Sequence, residues 1–215
     1  IDDLQKAGEI MEKLYSLPAY RQHLERRGSR QTIMLGFSDG TKDGGYLMAN
    51  YSILHAQQAL TSLSKKYDID VLFFDARGGP PARGGGKTQK FYASMGNDVS
   101  GKEIQLTVQG QTISSNFGTI DAAQYNMEQL LNAGLSGFIK HPEKPTLEKG
   151  QEELLLELAK DGFKSYVQLK EHPMFVDYLS HASPVRFYAE TNIGSRPAKR
   201  GSAARLSLKD LRAIP

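Results

Sequence analysis

Two short apolar runs, Thr32-Ile33-Met34-Leu35-Gly36-Phe37 and Asp70 to Ala76, bracket a stretch of helical spacing. Within that stretch Tyr46, Ala49, Ile53, Ala56, Leu60, Leu63 and Tyr67 recur every three or four positions, which predicts one long amphipathic helix. Strand, helix, strand in that order describes a parallel pair, since parallel strands need a crossover of a dozen or more residues. A helix near residues 87–95 and an alternating run, Ile104-Gln105-Leu106-Thr107-Val108, continue the pattern. The fold class is α/β, helix-rich, with a few parallel strands.

Before the first strand, residues 3–16 read as a helix interrupted by Pro18, and residues 19–27 as a second one ending at Gly28. Ser38 to Gly45 reads as a polar, flexible connection. A second extended piece is expected over 111–117. Beyond Thr119 the pattern is mostly helical, with candidates at 120–138, 148–160, 162–170 and 173–181. Residues 1–118 thus form a strand, loop and helix core. Residues 119–215 are mainly helical and include a basic loop at 192–206.

Bulk properties exclude several functions. Lys+Arg number 27 against 24 Asp+Glu, a net +3, so positive potential must be local and no general nucleic-acid surface is expected. There is no cysteine, hence no disulfide, thiolate chemistry or Cys-based metal site. No apolar run approaches the ~18 residues of a membrane span, and Ile1-Asp2-Asp3-Leu4 has no signal-peptide character. The chain lacks a starting Met, which reads as a cut end.

The chemistry-bearing residues follow the two strands, where parallel sheets carry their sites. After the second comes Arg77-Gly78-Gly79-Pro80-Pro81-Ala82-Arg83-Gly84-Gly85-Gly86-Lys87-Thr88. Glycines let backbone N–H groups approach a ligand, and arginine forks match phosphate or carboxylate. The arrangement suits a small, multiply charged anion; the alternative is a surface loop with weak ion pairs. It is not a nucleotide P-loop, because Pro81 stands where that motif needs glycine. After the first strand, Asp39 is a candidate Mg²⁺ or Mn²⁺ ligand or an ordinary cap or turn former, as Ser38 and Asp43 could also be. Lys42 is a candidate cation for the same cavity or a solvated charge. Gln109-Gly110 is a polar group at a third strand end or a simple turn. Arg196, Lys199 and Arg200 either extend the anion site or decorate a loop.

Gly36-Phe37-Ser38-Asp39-Gly40 also matches the G-x-S-x-G elbow of serine hydrolases, with His141, His172 or His181 downstream as triad partners. An elbow turns directly into a helix, whereas Gly44-Gly45 is expected to interrupt this one. The five histidines, His55 among them, form no metal spacing. A non-catalytic anion-binding module is a third reading.

At these residues the chain resembles phosphoenolpyruvate carboxylase. The family's Y-S-D-S-x-K-D-A-G segment is matched by Phe37 to Gly45, and its F-H-G-R-G-G-x-x-G-R-G-G loop by Phe74 to Gly85. R-V-T-x-Q-G is matched by Gln105 to Gly110, L-G-S-R-P-A-K-R by Ile193 to Arg200, and L-R-A-I-P by Leu211 to Pro215. All five occur in the family's order. Asp75 and Ala76 replace its His-Gly, Gln105 its arginine, and Gln111 a frequent glutamate; Pro80-Pro81 stiffens the loop.

The resemblance implies a piece of the C-terminal half of a TIM (β/α)₈ barrel, unable to close alone and exposing strand edges and apolar helix faces. It implies a cytoplasmic lyase of carbon dioxide fixation, joining phosphoenolpyruvate to bicarbonate and replenishing oxaloacetate for the tricarboxylic acid cycle, with Mg²⁺ or Mn²⁺ and no biotin. Asp39 would be a metal carboxylate, a second lying upstream of Ile1. Lys42 would be a cation near the substrates, and Arg77 would hold phosphate or carboxylate. Arg83, in the mobile loop with Gly78, Gly79, Gly84 and Gly85, would stabilise intermediates and receive acidic feedback inhibitors such as aspartate or malate. Gln109 would add a polar contact. A homotetrameric parent, no nucleic-acid or membrane partner, and an inactive isolated piece complete the expectation.

Overall fold

Alternation along Arg30–Leu35 sorts the first strand, β1, into two faces. Ile33 and Leu35 turn towards a helix, while Thr32 and Met34 face away and Met34 stays 61% exposed. A computed structural model of the chain describes residues 1–75, 88–94, 103, 105–108, 111–140, 147–185 and 207–208. Three helices precede β1: α1 (Asp2–Gln5), α2 (Ala7–Ser16) and α3 (Pro18–Arg26). Pro18 opens α3 and holds Leu17 extended (φ −77°, ψ 122°), which separates α2 from α3. Gly28, at φ 71°, ends α3 where the sequence placed that stop.

After β1 come α4 (Phe37–Gly44), α5 (Tyr46–Lys66), β2 (Asp70–Asp75), α6 (Thr88–Ser94) and the two-residue β3 (Gln105–Leu106). Both pairings are parallel, in the order β1-β2-β3. The core is one layer deep. Leu35 and Phe73 meet Ile53 and Leu60 of α5, with Leu4, Ala7, Met11, Ile33, Phe37 and Val71 packed around them. A second cluster joins Tyr15, Leu24 and Ile69 where α2, α3 and the start of β2 converge.

The C-terminal half is helical: α7 (Gln111–Phe117), α8 (Ile120–Lys140), α9 (Lys149–Lys170) and α10 (Phe175–Ala182). Three expectations are corrected. Residues 37–44 are helix rather than flexible connection. Residues 111–117 are helix rather than extended chain, because α7 packs on α8 and Asn126 donates to the Asn116 carbonyl at 3.0 Å. The helices expected at 148–160 and 162–170 are one. A Glu148/Gln151 capping box starts α9, and it runs through Gly162, whose cost of about 1 kcal/mol relative to Ala is outweighed by packing against α4 and α5. Apolar side chains lie on the outside of these helices: Ile120 is 84% and Leu131 63% exposed, and Leu154 and Leu158 of α9 are exposed too.

Candidate functional site

β1 gives way to α4 with a single intervening residue. Gly36 is the N-cap (φ −91°, ψ 87°), and the Gly40 N–H donates to its carbonyl at 2.9 Å. A side chain at Gly36 would sit 3.4 Å from Oδ2 of Asp39, so glycine lets that carboxylate fold back over the helix start. There it meets the positive end of the helix dipole. Asp39 is exposed, and among the described residues no hydrogen bond or ion pair engages it. Lys42, half-buried, lies three positions on along the same helix face. Gly40 allows the close approach of α4 to α5, its would-be Cβ lying 3.4 Å from that of Ala49.

Register aligns the ends of the strands that the other candidates follow in the chain. Leu35 pairs with Asp75, and Asp75 with Leu106, so all three strands reach their carboxyl ends level with one another. Arg77, Gly78, Gly79, Arg83, Gly84 and Gly85 follow Asp75 in the chain, and Gln109 follows Leu106 by three positions; all lie outside the described residues. Arg196, Lys199, Arg200 and His141 lie outside them as well. Beyond the arginine–glycine segment, α6 returns to α4: the Phe91 ring meets Phe37 edge-on at 5.8 Å. That ring contact links α6 to α4, while α6 packs mainly on α8.

The opposite end of α4 is held by α9. Tyr166 donates its hydroxyl to the Lys42 carbonyl at 2.8 Å, and Lys170 Nζ donates to the Asp43 carbonyl at 2.7 Å. The Asp43 carboxylate also lies 3.8 Å from Lys170 Nζ. Burial, aided by the Asp43 charge, pushes the Tyr166 phenol up, so it stays a donor. Sequence reasoning missed Tyr166 and Lys170. Their i, i+4 spacing marks one face of α9 but carries no sign of what that face meets.

The hydrolase elbow fails on backbone geometry. The interruption expected before the helix is absent, since α4 follows β1 at once. Yet Ser38 lies inside α4, while the only described non-glycine residues at positive φ are Ser29 and Asp68. A strained nucleophile turn is not built at Ser38. His172 accepts from the Met174 N–H at 3.2 Å, and His181 contacts the Asp177 carbonyl at 2.8 Å, both local bonds. His55 stacks on Tyr51 with ring centroids 4.1 Å apart and sits 3.6 Å from Glu152, joining α5 to α9.

Among the described residues no three carboxylate or imidazole groups cluster as a metal cage, and no helix is long and apolar enough to cross a membrane. One exposed carboxylate still fits Mg²⁺, which is held through one or two carboxylates and completes its shell with water and substrate oxygens.

A family model described as phosphoenolpyruvate carboxylase matches residues 1–215. Among similar proteins, phosphoenolpyruvate carboxylase of Corynebacterium diphtheriae is 34% identical over all of this chain and 24% of its own length. Those of Corynebacterium efficiens and Paraburkholderia xenovorans are 35% and 36% identical, again over all of this chain, and over 23% and 22% of their own lengths. The chain spans about a quarter of the length of these relatives.

Proposed function

The chain belongs to the phosphoenolpyruvate carboxylase family, and on that footing we propose that it forms part of a cytoplasmic carboxylase making oxaloacetate and phosphate from phosphoenolpyruvate and bicarbonate. The observation that carries the reading is the level ending of β1, β2 and β3. The Asp39–Lys42 helix follows β1 and the arginine–glycine segment follows β2 in the chain, from ends that lie level in one sheet.

The architecture is proposed as a portion of a (β/α)₈ barrel. Three parallel strands in sequential order, with helices between them, support it. So does a sheet with one face against α5 and Met34 uncovered on the other, as an interior face would be before the remaining strands enclose it.

In the proposed reaction, bicarbonate oxygen attacks phosphorus and the phosphorus–enol oxygen bond breaks, leaving pyruvate enolate and carboxyphosphate. Carboxyphosphate parts into CO₂ and phosphate, and the enolate carbon bonds to CO₂. Charge moves between oxygens throughout, so preorganised cations lower the barrier most. Arg77 binds the phosphate or carboxylate of the substrate. Arg83 neutralises the intermediates, with N–H groups of Gly78, Gly79, Gly84 and Gly85 around them. Lys42 stands beside the anions, and Gln109 adds a polar contact. Asp39 would hold the divalent metal, Mg²⁺ or Mn²⁺, which when bound supplies Lewis-acid charge; other ligands would come from outside these 215 residues, and biotin has no role. Acidic inhibitors such as aspartate or malate would compete for Arg83, in a homotetrameric enzyme.

The test is the full-length protein carrying this segment, assayed with phosphoenolpyruvate and bicarbonate while oxaloacetate is consumed by a coupled NADH-dependent reduction. Bicarbonate-dependent NADH loss is expected, and none from the 215-residue chain alone. Phosphate release without oxaloacetate would overturn the reading.

A further inference from the structure

Two turns of helix cannot hold their own geometry in water, because nucleation is unfavourable and few bonds are gained. The helix α4 has eight residues, its N-cap is a glycine with no side-chain cap, and it presents Asp39 and Lys42. Its last carbonyls are the groups a helix leaves without partners. Thr41 satisfies its own by accepting from the Gly45 N–H at 2.9 Å. The next two, Lys42 and Asp43, are satisfied from α9, more than a hundred residues away in sequence, by the Tyr166 hydroxyl and the Lys170 ammonium.

The contact is shaped on both sides. Phe163, Tyr166 and Lys170 form one stripe of α9, spaced i, i+3, i+7. Opposite them lies the Gly44–Gly45 corner. A Cβ at Gly45 would stand 3.4 Å from the Tyr166 ring; one at Gly44 would run first into the Ile1 side chain and stand 3.3 Å from Phe163. The missing side chains let the stripe reach the backbone. Lys170 also places its charge 5.4 Å from the Tyr166 ring centroid, with its side chain only 19% exposed. A cation there complements the negative end of the α4 dipole.

We infer that Tyr166 and Lys170 are positioning residues, which cap the C-terminal end of α4 and thereby fix where its Asp39 and Lys42 side chains stand. Neither touches substrate. They act through the helix, holding the carboxylate and the ammonium at the sheet edge where the arginine–glycine segment begins. The inference rests on the reading of Asp39 and Lys42 as site residues.

The experiment uses the full-length protein that carries these residues, with Tyr166→Phe, Lys170→Met and Lys170→Arg. Tyr166→Phe keeps the ring over Gly45 and removes only the donor, so folding is preserved; Lys170→Arg keeps a donor and charge. Amide hydrogen exchange of the 37–45 peptide is expected to quicken about five- to tenfold in Tyr166→Phe and Lys170→Met, the loss of one net hydrogen bond. Exchange in α5 should stay unchanged. The same two variants should raise half-saturating Mn²⁺ and the KM for phosphoenolpyruvate about tenfold, at an unchanged melting temperature, and Lys170→Arg should restore both.

Unchanged exchange at 37–45 would overturn the cap. Quickened exchange with unaltered Mn²⁺ and substrate dependence would overturn the positioning role. In that second case Asp39→Asn separates the causes. If it also leaves Mn²⁺ dependence intact, the site reading itself fails; if it abolishes Mn²⁺ dependence, the site stands and only the role of α9 is lost.

Discussion

The hydroxyl of Tyr166 and the carbonyl of Lys42 are joined at 2.8 Å across 124 residues of chain, which fastens the mainly helical C-terminal half to the strand core at the foot of α4. The Tyr166 ring needs Gly45 for this, both for space and for its φ of 76°. With ψ at 171° this is a region essentially reserved for glycine, and holding another residue there costs roughly 1–3 kcal/mol. Gly45→Ala is therefore expected to lower stability by about 1–3 kcal/mol in urea denaturation, with added loss from the crowded ring. Gly162→Ala is the contrast. That glycine lies inside α9 with nothing within 4 Å of a new Cβ, so the change should stabilise by about 0.5–1 kcal/mol. Equal effects at the two sites would refute the corner as a conformational requirement.

Gln57 is 1% exposed in α5, and among the described residues neither its Oε1 nor its Nε2 finds a hydrogen-bond partner; Thr61, one turn on, buries a hydroxyl that likewise has none there. Burying an unpaired amide costs about 1–3 kcal/mol on mutational scales. Gln57→Leu is expected to raise the unfolding free energy by about that amount, read from the midpoint in urea. A loss instead would show that the amide has a partner in solution, and a buried water would be the one to seek.

At the edge of the sheet away from α4, Arg30 donates to Glu103 at 2.7 Å and lies 3.6 Å from Asp70, spanning β1, β2 and the approach to β3. The Arg30 hydrogen bond first, then that from Gln105, holds the Glu103 carboxyl below the usual range. A depressed carboxylate adds stability above its unfolded pKa of about 4.3, and that stability is lost as pH falls through the folded value. Arg30→Gln should raise the Glu103 pKa towards normal in a carboxyl NMR titration. The difference in melting temperature from wild type should be widest near neutrality and close up below about pH 4. Both groups are exposed, so ~0.5 M salt should shrink the effect. A difference that persists in acid would point to a cause other than this pair.

Periodicity made α5, β1 and β2 legible, because each buries a regular stripe: Ala49, Ile53, Ala56 and Leu60 on the helix, Ile33 and Leu35 on the first strand. It failed where neighbours decide. Residues 37–44 hold two glycines and two aspartates, poor helix formers, and fold as α4 because α5 packs alongside and α9 caps the end. Residues 111–117 were expected to be extended, yet α7 forms against α8. For the site, Asp39 and Lys42 were visible as polar residues after a strand. Tyr166 and Lys170 were not, since a phenol and an ammonium on a helix carry no mark of a distant carbonyl.

Substitutions at the two strand ends should separate metal from anion recognition. Asp39 is the exposed carboxylate at the end of β1, while Arg83 belongs to the segment that follows β2. In the full-length protein, Asp39→Asn keeps the shape and removes the charge a hard cation needs. If Asp39 is the proposed ligand, half-saturating Mn²⁺ should rise by at least about tenfold, the metal having lost an anionic oxygen. Arg83→Ala should leave Mn²⁺ binding near normal and lower kcat by about 10²–10³, the usual loss for one preorganised donor at developing charge. If, as proposed, aspartate docks on the same guanidinium, the remaining turnover should also escape inhibition by aspartate. Metal titrations, initial rates and inhibitor curves on the two variants read these three quantities separately. Should Arg83→Ala instead weaken Mn²⁺ and leave kcat alone, the arginine would be acting on the metal's surroundings, and the division of labour proposed for the two strand ends would be wrong.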